Sequence, residues 1–185
     1  MTIPNFLTLA RIFLTPLLIW FLLDHKLNQA LVVFFIAGLT DGLDGLLARL
    51  LNQKSRLGAY LDPLADKLLL VSSFILLAWL SKVPNWLVII TVSRDIMIVM
   101  GIATLKFHEV HVEMKPSIVS KATTLIQLVT VMAMLASELL PLPGWFYLAL
   151  FVLAAAFSIV SGVQYLATGF SLLDGQRRNH EWRRR

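Results

Sequence analysis

Four aspartates stand inside apolar sequence: Asp41 and Asp44 in the run from Gln29 to Leu50, and Asp62 and Asp66 in the run from Leu57 to Leu80. A charge at bilayer depth costs roughly 2.5–3.5 kcal/mol on insertion scales, and such residues usually mark function. Asp41 and Asp44 are three apart and Asp62 and Asp66 four apart, so on helices each pair shares a face. The short connection between the runs makes the two helices antiparallel neighbours. At about 1.5 Å of rise per residue, Asp44 lies about 12 Å inside Asn52 and Asp62 about 8 Å inside Leu57, which lets the pairs converge. Carboxylates about 4 Å apart repel by roughly 4 kcal/mol at an effective dielectric of about 20. Protonation relieves that repulsion; so do two divalent cations. All-oxygen ligands suit Mg²⁺ or Mn²⁺, and a two-metal site is a device for phosphoryl chemistry.

The neighbours of the acids fit a diphosphate ligand. Gly42, Gly45 and Gly58 lie beside them. Small residues also serve close helix packing, and Gly42 suits that reading equally well, whereas Gly45 and Gly58 are read as giving a ligand access to backbone. Arg49, one turn after Gly45, and Ser55 and Arg56 in the connection supply cations and donors for phosphate oxygens. The alternative for Arg49 is an interface residue whose charged head snorkels to water.

The elements that carry these residues follow from composition. The 185 residues are 58% hydrophobic and 15% charged, with mean hydropathy +0.78; ordinary soluble domains carry about 25% charged residues. The chain reads as a single all-α, polytopic membrane domain over residues 1–185. Spans of about 20 apolar residues are sought, and six are expected: Leu7–Leu23, Gln29–Leu50, Leu57–Leu80, Pro84–Lys106, Ser117–Leu140 and Trp145–Thr168. Basic residues set the orientation. Arg49, Lys54, Arg56, Lys106, Lys115, Lys121 and a basic tail at 174–185 mark one side, against Lys26 and Lys82 on the other. Both termini and the acid site are therefore expected in the cytoplasm. Trp86 and Trp145 begin helices on the opposite side, as interfacial anchors do. Five arginines between Arg177 and Arg185 form either a solvated tail or a contact with anionic headgroups. The absence of cysteine excludes thiol chemistry. No cleavable signal or transit peptide is evident, which favours a bacterial inner membrane. His108 and His111, with Glu109 and Glu113, read as a solvated loop rather than a metal site.

The stretch Asp41-Gly42-Leu43-Asp44-Gly45-Leu46-Leu47-Ala48-Arg49, eight residues, then Gly58-Ala59-Tyr60-Leu61-Asp62-Pro63-Leu64-Ala65-Asp66 resembles the CDP-alcohol phosphatidyltransferase signature, with every fixed position filled. The resemblance implies six transmembrane helices, usually in a homodimer, with a cavity open to the cytoplasm, a CDP-diacylglycerol donor, a hydroxyl acceptor and CMP as leaving group. It implies that Asp41, Asp44, Asp62 and Asp66 ligate the metals, and that Asp66 is also the base that deprotonates the acceptor. Gly45, Arg49 and Ser55 fall where the family contacts the CDP headgroup, and Asn5 and Thr8 match an N-terminal element near the donor. No nucleic-acid partner is implied.

Within the family the chain resembles the glycerol-lipid branch, whose acceptors are glycerol-3-phosphate and phosphatidylglycerol. Ser93-Arg94-Asp95 fits both. A second Arg usual with the phosphomonoester acceptor is Ile102 here, and a Lys of its helix-five motif is missing from Ser120-Lys121-Ala122-Thr123-Thr124. A phosphomonoester carries about −1.5 to −2 charge and needs such cations. Pro116 to Lys121 and Ser161-Gly162-x-x-Tyr165 also resemble the cardiolipin-forming enzymes. Phosphatidylglycerol is the expected acceptor, with glycerol-3-phosphate as the alternative. Arg94 and Lys121 are the acceptor-pocket residues, unless Arg94 is a structural partner of Asp95 or of a backbone carbonyl. An ion or proton transporter using the aspartates is the rival of another class, but it leaves the glycines and Ala48-Arg49 unexplained. An intramembrane prenyltransferase would want Asn-Asp or Asp-Asp clusters, which the sequence lacks.

Overall fold

The structure, a computed structural model, describes the backbone of residues 3–50, 58–107 and 117–182, and side chains over 10–40, 64–101 and 117–168. Among the described residues six α-helices follow one another: α1 (Ile3–Leu23), α2 (Leu27–Leu50), α3 (Gly58–Trp79), α4 (Asn85–Phe107), α5 (Ile118–Leu135) and α6 (Gly144–Trp182), with a 3₁₀ turn, Ala136–Glu138, after α5. No strand occurs among the described residues. The expected all-α class holds, and each expected run is a helix.

The ends differ where local chemistry outweighs hydropathy. The fifth helix was expected to reach Leu140. It ends at Leu135 and passes into the 3₁₀ turn, the amides of Leu139 and Leu140 both donating to the Ala136 carbonyl; Pro141 disfavours α geometry at Leu140 and so keeps the helix from resuming. The sixth was expected to stop at Thr168 and instead runs to Trp182. No proline interrupts it, and hydropathy marks only its apolar part. The turns after α1 and α3 are alike. His25 and Ser81 each take the left-handed conformation, φ 57°, and the next amides, of Lys26 and Lys82, donate back to the carbonyls of Phe21 and Leu77. Each helix thus closes its last carbonyls without a glycine.

α1 packs against both α2 and α3, and α6 against both α4 and α5; α2 and α3 each also touch α5, while α3 meets α4 more sparsely. The buried core of the first three helices is mainly apolar, with Leu18, Leu22, Phe34, Leu70, Phe74 and Leu77, and also buries Arg11, Thr15 and Ser73. The seam between α4, α5 and α6 buries Arg94, Thr123, Gln127, Thr130, Ser158 and Ser161 instead. Outward faces carry Phe13, Ile89, Met100, Leu125 and Val163, with Trp20, Trp79, Trp86 and Trp145 also exposed. Such a surface fits lipid rather than water. Among the described residues two helical stretches, Ile118–Glu138 and Gly144–Thr168, are long and apolar enough to cross a bilayer, and Ala10–Leu23 and Leu27–Thr40 are shorter apolar stretches.

Candidate active site

The acids are placed by continuous helical backbone at one end of the bundle, where α1 begins, α2 ends and α3 begins. Counting from Leu50 and Gly58, Asp44 lies about 9 Å and Asp41 about 14 Å from the helix end, Asp62 about 6 Å and Asp66 about 12 Å. The four aspartate positions therefore fall within about three turns of these helix ends, on two helices that both pack on α1. Asp66 is half-buried and takes part in an interaction within the chain. The side chains of Asp41, Asp44 and Asp62 lie outside the described residues, as do those of Asn5, Thr8, Gly45, Arg49 and Gly58, whose backbones are helical; Ser55 and the loop with His108 and His111 lie outside them altogether. Aspartate offers oxygen donors alone, the kind that Mg²⁺ or Mn²⁺ takes.

Two of the residues expected at the acceptor part company. Arg94 is buried, its side chain 3% exposed. Its Nη1 donates to Asp95 Oδ1 at 2.7 Å, Nη2 to Ser120 Oγ and to Ser161 Oγ at 2.7 Å each, and Nε to Ser161 Oγ at 3.2 Å. Of a guanidinium's five N–H groups, four bonds are drawn from its own chain. The structural alternative, pairing with Asp95, is thus present. Lys121, one residue beyond Ser120, is exposed and borders a groove of about 340 Å³ with Ser120, Thr124, Leu125 and Leu128.

Motifs that looked like separate markers of the branch converge on Arg94. Ser117 caps α5, accepting the Ser120 amide at 3.1 Å, and so fixes the turn that presents Ser120 to Arg94. Ser161 receives two of the Arg94 bonds. Gly162 lies beside the Arg94 stem, where an added Cβ would make an ordinary contact with Arg94 Cγ at 3.7 Å. Tyr165 lies against Gly101, where a Cβ would meet its ring at 2.6 Å. Two residues were missed. Lys67, directly after Asp66, donates to Asp95 Oδ1 at 2.7 Å; a lysine in an apolar run is the same flag as the aspartates. Arg11, a charge inside the first apolar run, is 1% exposed. It lies about 12 Å in from Ile3, at the depth of the acids.

Comparison with known proteins identifies the family. The family profile described as CDP-alcohol phosphatidyltransferase matches residues 1–161. The chain is 36% identical over 173 residues to a protein of Rattus norvegicus named cardiolipin synthase (CMP-forming), covering 85% of this chain and 57% of that protein. To the Homo sapiens protein of the same name it is 35% identical, covering 85% and 58%. The chain thus spans a little over half the length of these two relatives. It is 33% identical over 190 residues to the CDP-diacylglycerol–glycerol-3-phosphate 3-phosphatidyltransferase of Bacillus subtilis (strain 168), covering 92% of this chain and 96% of that protein. The matched region holds all four acids and the Arg94 cradle, and the chain belongs to the CDP-alcohol phosphatidyltransferase family.

Proposed function

We propose that the protein transfers a phosphatidyl group from CDP-diacylglycerol to a hydroxyl of phosphatidylglycerol, releasing CMP. Donor and reaction rest on family membership together with the placement of the four aspartate positions near these helix ends. The acceptor reading is supported by one observation: Arg94, one of the two cations expected at the acceptor, directs its donors to Asp95, Ser120 and Ser161. Lys121 is left beside a groove whose walls are partly leucine. That arrangement suits a phosphodiester of a single negative charge with acyl chains better than a free phosphomonoester of about −1.5 to −2. The names of the two mammalian relatives agree with it. Glycerol-3-phosphate, the acceptor in the name of the bacterial relative, is the second reading.

In this mechanism Asp66 accepts the proton of the acceptor hydroxyl. The freed oxygen attacks the phosphorus that carries the diacylglycerol, and the bond from that phosphorus to the CMP oxygen breaks. Asp41, Asp44, Asp62 and Asp66 would hold two Mg²⁺ or Mn²⁺ ions, which when bound neutralise the diphosphate and the departing CMP. Asn5, Thr8, Gly45, Arg49, Ser55 and Gly58 would hold the CDP headgroup. Six membrane spans, both termini and the acids on the cytoplasmic side of an inner membrane, and a homodimer complete the reading. The side bias of the basic residues supports the orientation.

Acceptor competition tests it. Purified protein in detergent receives labelled CDP-diacylglycerol and Mg²⁺ with glycerol-3-phosphate or with phosphatidylglycerol. Cardiolipin is the expected product, lost in excess chelator and restored by Mg²⁺ or Mn²⁺. Product from glycerol-3-phosphate alone would overturn the acceptor, and undiminished turnover in chelator would overturn the metal site.

A further inference from the structure

We propose that Lys67 and Asp95 are positioning residues: their ion pair fixes the turn of α3 that bears Asp66 against the Arg94 cradle. The inference rests on the proposed reaction for its meaning, and on side-chain geometry for its content.

Successive residues of a helix are rotated by about 100°, so Lys67 leaves α3 in a different direction from Asp66. It reaches α4, where Asp95 Oδ1 accepts its proton at 2.7 Å. The same oxygen accepts from Arg94 at 2.7 Å, and Arg94 is tied in turn to Ser120 on α5 and Ser161 on α6. Lys67 is therefore anchored on a group that is itself held from two further helices. The chain of contacts runs from the residue beside the proposed base, through α4, to both remaining helices.

Among the described residues this contact is a directional one. α3 packs elsewhere through Leu69, Leu70, Phe74 and Leu77, and apolar contacts hold a helix at a distance without specifying its rotation closely. Asp95 is 7% exposed, so little water competes for it, and the bonds it accepts are charge-assisted and short. A misplacement of about 1 Å at a reacting group can lower a rate about 100-fold. Lys67 thus works through the placement of Asp66 rather than by touching substrate, its ammonium being directed to Asp95.

Lys67→Met and Lys67→Arg are the variants of choice, since Lys67 is the most exposed member of the cluster. In Lys67→Met, kcat is expected to fall about 10- to 100-fold, with KM for CDP-diacylglycerol and for the acceptor within about twofold of wild type. Lys67→Arg, which can still reach Asp95, should recover most of the rate. Amide exchange over residues 60–66, followed by mass spectrometry, should quicken in Lys67→Met and stay unchanged in Lys67→Arg and in Lys82→Met at the other end of the bundle. An unchanged kcat, a loss confined to KM, or unaltered exchange in Lys67→Met would each overturn the clamp. Wild-type protein that turns over no CDP-diacylglycerol would instead sink the proposed reaction, and the exchange result would still decide whether Lys67 fixes the turn.

Discussion

The two halves of the bundle solve helix packing differently. α1, α2 and α3 close mainly on leucine, phenylalanine and alanine, with Arg11, Thr15 and Ser73 buried among them; α4, α5 and α6 set beside Leu87, Val131, Leu135 and Ala154 a buried arginine, an aspartate and a column of Ser, Thr and Gln. In lipid, apolar side chains gain nothing by leaving an apolar solvent, so helices associate through close packing and interhelical hydrogen bonds. The apolar half relies on the first and the polar half on the second. The proposed chemistry divides the same way. The four acids belong to the half whose core is formed by other residues, whereas Arg94 belongs to the half where the polar groups are the packing. A charge in the first half is expected to matter to turnover, and a charge in the second to matter first to folding.

Asp66→Asn presses hardest on that contrast. Asparagine keeps the shape of the side chain and cannot take the proton. Turnover should drop about 1,000-fold, within the range lost with a general base, while CDP-diacylglycerol still binds and the melting temperature moves little. Normal turnover would remove Asp66 from its role, and a collapse in stability would erase the distinction between the halves. Arg94→Met is the counterpart. It leaves Ser120 and Ser161 without their donor and Asp95 with Lys67 alone, and breaking such a buried pair costs about 3–5 kcal/mol. Thermal unfolding in detergent should register the loss before any kinetic constant does. An unaltered melting temperature with a raised acceptor KM would instead make Arg94 an acceptor ligand.

Gly101→Ala has a smaller expected effect. Its added Cβ would stand 2.6 Å from the Tyr165 ring, so α4 and α6 must part or the ring must turn, a strain of about 1–3 kcal/mol. Gly162→Ala places its Cβ at 3.6 Å from Met97, an ordinary contact, and should be nearly silent. Equal effects of the two would mean that the α4–α6 approach is not set at Gly101.

What the sequence displayed and what it hid follow the same division. The helices were legible because apolar runs and their breakers are local. The acids were legible because a carboxylate in such a run is conspicuous, and their spacing needs only the pitch of one helix. The Arg94 cradle was not, because it draws on Lys67, Asp95, Ser120 and Ser161 from four helices, and no periodicity links residues so far apart. Ser117, Ser120, Ser161, Gly162 and Tyr165 stood out as marks of a branch without any indication that they meet. The 3₁₀ end of α5 and the length of α6 were missed for a simpler reason: hydropathy locates what can lie in a bilayer, not where backbone hydrogen bonding stops.

The subtlest expected effect lies lower in the polar seam. Gln127 donates through Nε2 to Ser158 Oγ at 3.2 Å, while its Oε1 is buried without a hydrogen-bond partner. One bond of this kind between membrane helices contributes about 0.6 kcal/mol on average, and the unmet carbonyl oxygen works against it. Replacing Gln127 by leucine, of similar bulk, removes both the bond and the unmet group. The net change should stay within about 1 kcal/mol of zero by this reckoning, in contrast to Arg94→Met in the same seam. That difference would show that the seam depends on its ionic node rather than on the number of polar residues along it. A loss from Gln127→Leu as large as that from Arg94→Met would spread the dependence evenly along α5 and α6 and deny the node its special place.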